Sequence, residues 1–182
     1  MKQNKKITVS AIMVALGTVL IVLGGYIGII DLTVCALASL LVVFVYIEIG
    51  SPYTWLVWIC TTLTTFLFLQ GKIILPLMYF LAFGLYPILK AYIERLPRKL
   101  WLLIKLPYVN AVIWIVIKVW EFIYQIPIFT LDGIFKNLTE GWLYAIMCII
   151  LNIAFIAYDL FLTVMVRVYF EKFRNRFKHL LK

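Results

Sequence analysis

Six long apolar stretches fill most of this chain, and they constrain it more than any other feature. They run from about residues 7 to 30, 32 to 47, 53 to 69, 73 to 89, 100 to 128 and 142 to 166. A helix rises about 1.5 Å per residue, so about 20 apolar residues cross the roughly 30 Å of hydrocarbon in a bilayer. The second stretch is short at the low end of that range. A backbone inside lipid must satisfy its own hydrogen bonds, which leaves helices as the economical solution for such runs. The expectation is an all-α membrane protein: one bundle of six transmembrane helices forming a single domain over residues 1–182. Composition agrees. The chain is 65% hydrophobic and only 14% charged, whereas soluble domains average nearer half and a quarter.

The breaks between stretches carry turn chemistry. Asp31 interrupts the first pair, and Glu48, Gly50, Ser51 and Pro52 divide the second from the third. Gln70, Gly71 and Lys72 close the third. A charged linker follows the fourth, from Lys90 through Glu94, Arg95, Pro97 and Arg98 to Lys99. A longer loop spans Thr130 to Gly141, and a basic tail begins at Arg167. The first stretch is read as a retained helix, because no small-residue cleavage site and polar mature domain follow it.

Net charge is +9. Its placement sets orientation. Lys2, Lys5 and Lys6, the linker between stretches four and five, and the tail from Arg167 to Lys182 hold most of the Lys and Arg. The opposite loops hold only Lys72 and Lys136. Lys and Arg are retained on the cytoplasmic side, so both termini are expected in the cytoplasm of a multi-pass plasma-membrane protein. The charge is thereby explained without a nucleic-acid partner.

The fifth stretch holds charge where charge is costly. Trp114, Lys118, Glu121 and Gln125 recur at spacings of four, three and four, which places them on one helix face. An ionisable pair at membrane depth is expensive unless it faces protein or water. One reading is a structural ion pair; the other is a ligand site with a cation, a carboxylate, an amide and an indole. Asn152, in the sixth stretch, is either packing glue or a ligand contact. Asp31 is either a helix cap or part of a lid over an outward-facing pocket. Lys105 and Asp159 sit deeper and are expected to pair structurally. The aromatic residues gather near the span ends as interface anchors, Trp114 excepted.

Other chemistries lack their residues. There is no Gly-rich phosphate loop ending in Lys-Ser or Lys-Thr. The single histidine, His179, lies in the basic tail, so no metal motif or Ser-His triad forms around it. Cys35, Cys60 and Cys148 show no metal-ligand spacing and read as small packing residues. Enzyme activity, a metal and a bound cofactor are therefore not expected. Asn137-Leu138-Thr139 fits a glycosylation sequon but is too short to carry weight.

Ala11 and Ala15 make a small-x-x-x-small step near the start of the first stretch. That step, six spans in about 180 residues and both ends inside resemble the substrate-binding (S) component of an energy-coupling factor transporter. The resemblance covers the whole chain in architecture, with two alanines as its only motif. It implies that Ala11 and Ala15 dock onto a shared transmembrane coupling subunit driven by two ATPases. It also implies an outward-facing pocket for a vitamin-like small molecule. Asp31, Lys118, Glu121, Gln125 and Asn152 become ligand candidates by location. Nickel and cobalt members carry a histidine-rich N-terminus, whereas this chain begins Met1-Lys2-Gln3. The alternative is a membrane scaffold of the rod-shape-determining kind, in which the charges only hold helices together.

Overall fold

The computed structural model describes residues 3–125 and 140–174. The expectations for Lys136, the Asn137 sequon and His179 lie outside the described residues. Those residues form six helices, with no strand among them. They are α1 (Gln3–Ile27), α2 (Asp31–Glu48), α3 (Ser51–Phe68), α4 (Ile74–Ile93), α5 (Arg98–Tyr124) and α6 (Glu140–Val168, continued by a wide turn over Tyr169–Phe173).

Five of the six are long and apolar enough to cross a membrane; α3 is not among them. The expected number of helices is present, and the expectation that each is a span is supported by length and composition for five of them. The first turns of α3 carry Ser51, Pro52, Tyr53 and Trp55, and Thr54, Thr61, Thr62 and Thr65 occupy its buried face, all of which lower its hydropathy. Three of these four hydroxyls are returned to the helix itself. Thr54 donates to the Gly50 carbonyl at 3.0 Å, Thr62 to Trp58 at 2.8 Å and Thr65 to Thr61 at 2.9 Å. Such back-bonding lets a polar face sit inside a protein without another partner.

Small residues decide how α1 meets its neighbours. Ser10, Gly17, Thr18, Ile21, Gly24 and Gly25 are its buried positions, and α1 packs on α2 and α3. Helices in lipid lack a hydrophobic drive towards one another, so close backbone approach supplies the contact energy. The fit at Gly24 is tight. A methyl placed there would lie 2.1 Å from Val34 Cγ2. Thr18 and Thr64 share a hydrogen bond of 2.7 Å across the α1–α3 seam.

Helix α2 touches every other helix except α5 strongly, so it forms the centre. Its Cys35, Ala38, Ser39, Val42 and Val45 are fully enclosed. Partner residues give the strand of directions. Ser39 meets Tyr158 and Glu48 meets Tyr169. Phe83 meets Tyr158 and Lys90 meets Thr163. Numbers rise together in these pairs, so α2, α4 and α6 are parallel. Helix α5 runs against α6, because Lys105 meets Asp159, Asn110 meets Asn152 and Glu121 meets Tyr144.

The cysteines follow their helices. Cys35 is buried as expected, Cys148 is partly covered, and Cys60 is exposed. Packing therefore accounts for Cys35 but not for Cys60.

Candidate functional site

Helix α4 is not regular. Residues Tyr79–Gly84 form a wide π turn, one and a half turns ahead of Pro87. Proline has no N–H to offer the carbonyl four residues back, which is Phe83. A π turn loosens the ladder further and is frequent at functional sites. Three carbonyls of this segment accept from side chains of three other helices. Trp58 Nε1 of α3 donates to Phe80 at 3.1 Å. The Tyr108 hydroxyl of α5 donates to Leu81. The Tyr158 hydroxyl of α6 is shared between Phe83 at 3.2 Å and Ser39 Oγ at 2.8 Å.

These anchors hold α5 and α6 beside α4 while leaving space between them. The space is a cavity of about 250 Å³. Leu32 of α2 borders it, as do Met78, Ala82 and Phe83 of α4. Helix α5 contributes Tyr108, Val109, Val112, Ile113, Val116 and Ile117. Helix α6 contributes Met147, Leu151, Ala154, Phe155 and Tyr158. The only side-chain polar atoms in this lining, apart from methionine sulfur, are the two tyrosine hydroxyls, and both are already bonded.

A dense polar layer lies next to one end of the cavity. Asp159 of α6 takes the hydroxyl of Tyr86 at 2.5 Å and the ammonium of Lys105 at 2.9 Å. It also pairs with Lys90. Lys90 further reaches the Asp159 carbonyl at 2.8 Å, Thr163 Oγ1 at 2.7 Å and Glu94 at 3.2 Å. Glu94 lies 3.5 Å from Lys105. Two ammonium groups and two carboxylates thus balance, and each lysine is nearly enclosed, at 6% and 4% exposure. A buried charge without such pairing would be prohibitively costly.

The expected Lys105–Asp159 pair is present in this layer. Lys90, Glu94 and Tyr86 were not foreseen in it. The sequence places Lys90 in the charged linker after the fourth stretch; the helix instead continues to Ile93 and buries Lys90. The available signal was spacing. Lys90 and Glu94 are four apart, as are Asp159 and Thr163, which puts each pair on one helix face.

The stripe on α5 lies elsewhere. Trp114 is 63% exposed. Lys118 and Glu121 pair at 2.8 Å, with the Lys118 side chain 55% exposed. The Tyr144 hydroxyl of α6 donates to Glu121 at 3.0 Å. Asn110, Trp114, Lys118 and Tyr144 border a separate, open groove between α5 and α6. Gln125 ends α5 with φ of 52°, its N–H donating to Glu121 O at 3.0 Å. Asn152 donates to Asn110 Oδ1 at 3.0 Å and to the Cys148 carbonyl at 2.8 Å. Its own Oδ1 is buried and has no hydrogen-bond partner among the described residues.

Asp31 does not cap α2 by its side chain. Ile30 is the N-cap and no side-chain cap bond forms. Asp31 instead occupies the first turn, where a carboxylate favours the positive end of the helix dipole. None of Asp31, Trp114, Lys118, Glu121, Gln125 or Asn152 borders the apolar cavity. Trp114 and Lys118 share the open groove, while Asp31 stands apart at the start of α2. Ala11 and Ala15 are exposed on α1, outside its seam with α2 and α3.

Comparison with protein-family models, curated proteins and solved structures gives no match.

Proposed function

We propose that the chain is the substrate-binding membrane subunit of an energy-coupling-factor-type uptake transporter. It crosses the plasma membrane six times, with α3 shielded by its neighbours and both ends in the cytoplasm. It captures a small molecule in the outer half of the bundle, and partner ATPases drive release through a transmembrane coupling subunit. The observation that carries this reading is the cavity between α4, α5 and α6. With a cytoplasmic N-terminus, α4 and α6 run inwards, so Met78 and Met147 mark its outer end and the Asp159 layer lies on its inner side. Clefts between helices of a bundle are common ligand sites.

The exposed Ala11–Ala15 face of α1 supports the docking part of the reading. No residue of α1 borders the cavity, so ligand and partner need not compete for one surface. A scaffold role is the second reading. It is favoured by the internal pairing of Lys118 with Glu121 and Lys105 with Asp159. Affinity purification from native membranes separates the two. Ala11→Trp and Ala15→Trp are expected to abolish copurification of a coupling subunit and two ATPases while leaving the purified chain folded. Unchanged copurification, or no such partners with the unsubstituted chain, refutes the transporter reading.

A further inference from the structure

The chemistry of the cavity selects among ligands. Around it, every hydroxyl is committed to the protein: Tyr108 to Leu81, and Tyr158 to Ser39 and Phe83. Ser39 Oγ in turn donates to the Ala36 carbonyl at 2.6 Å. The nearby Asp159 carboxylate is occupied by Lys90, Lys105 and Tyr86. A ligand acceptor would lose its hydration and gain no proton from these hydroxyls without breaking a bond already made; only the remaining lone pairs of two tyrosine oxygens are left for a ligand donor. Water gains little there for the same reason, since a buried water needs two to four polar partners.

The walls favour flat rings. Phe83 and Tyr158 meet edge-on at 5.0 Å, and Phe155 meets Tyr86 at 4.6 Å. Aromatic walls of this kind accept a further ring in offset or edge-on contact. Leu151, Val112 and Ala154 supply the remaining apolar surface.

We infer that the cavity binds an uncharged apolar molecule, preferably one with an aromatic or similarly flat portion, rather than a charged or strongly polar metabolite. This deepens the transport-subunit reading and rests on the cavity being its ligand site. The same chemistry could be supplied by a free apolar compound or by the tail of a bilayer lipid.

The test uses the full chain in lipid nanodiscs with 1-fluoronaphthalene as the probe, followed by fluorine NMR. A saturable, shifted resonance distinct from probe dissolved in the bilayer is expected. The carboxylate analogue 4-fluoro-1-naphthoate should bind at least tenfold more weakly. Val112→Trp on α5 and Ala82→Phe on α4 fill the space from different helices, and each should remove the saturable signal. Solvent extraction of the purified chain and both variants forms the second arm. A phospholipid lost from the variants identifies a lipid tail as the native occupant; a lost non-lipid compound identifies a free ligand. Absence of a saturable site overturns the inference. So does equal or tighter binding of the naphthoate, or a site that persists in both folded variants. Probe binding and subunit copurification are separate readouts. Loss of the first alone removes the ligand class, and loss of the second alone removes the transporter assignment.

Discussion

Replacing Asp159 by asparagine tests whether the buried polar layer holds α4, α5 and α6 together. The substitution keeps the side chain's size and removes one charge. Lys90 and Lys105 then share only Glu94, at 3.2 and 3.5 Å. At an effective dielectric of about 20, attraction across the 2.9 Å Lys105–Asp159 contact is about 6 kcal/mol. Desolvation of the ions offsets part of that gain. Removing one member of a buried pair costs about 3–5 kcal/mol, because a charge is left uncompensated. For a chain of this size, that corresponds to a fall of roughly 6–20 °C in Tm, taking 2–4 °C per kcal/mol. The assay is thermal unfolding in mild detergent, followed by tryptophan fluorescence. A charge-free version, Asp159→Leu with Lys90→Met, Lys105→Met and Glu94→Gln, should recover much of the loss, since well-packed apolar groups replace buried ion pairs at little cost. A fall of less than about 2 °C for Asp159→Asn would show that little of the layer's attraction survives as net stability. A charge-free quadruple variant less stable than Asp159→Asn would refute the uncompensated-charge argument.

Gly24→Ala should destabilise the α1–α2 seam by about 1–3 kcal/mol, as overpacking does, because its methyl would stand 2.1 Å from Val34 Cγ2. Val34→Ala in the same chain should relieve the clash; failure to do so in paired unfolding measurements would place the strain elsewhere. Lys118→Met should leave the unfolding midpoint unchanged, since the ammonium is exposed and its pair with Glu121 lies on the bundle surface. A marked fall in the midpoint would show that this pair, not the Asp159 layer, fixes α5.

Much of the architecture was legible because apolar length and turn residues are local signals. Helix α5 was expected over 100–128 and its described part runs from Arg98 to Tyr124, preceded by Pro97. The α1 boundary moved by only a few residues. Helix α3 reads as a span from its apolar length, with shielding by neighbours open, because the covering of its threonines is a matter of neighbours. Lys90 was misplaced for a related reason. It stands beside Glu94, Arg95 and Arg98 in the chain, and its partners on α6, Asp159 and Thr163, are distant in sequence. Charge on α5 was visible at once, yet helical spacing cannot tell an inward face from an outward one. The apolar cavity gave no sequence signal, since its lining residues are the ordinary residues of membrane helices.

The π turn of α4 bears on how the protein is made. A carbonyl without a partner in hydrocarbon costs several kcal/mol. Phe80, Leu81 and Phe83 receive their donors from α3, α5 and α6, two of which are synthesised after α4. During biogenesis, the contacts to Leu81 and Phe83 cannot form until α5 and α6 arrive. The final shape of α4 belongs to the assembled bundle, and late arrival of α6 would complete it. Truncation before α6 should consequently disturb α4 as well as remove the last span.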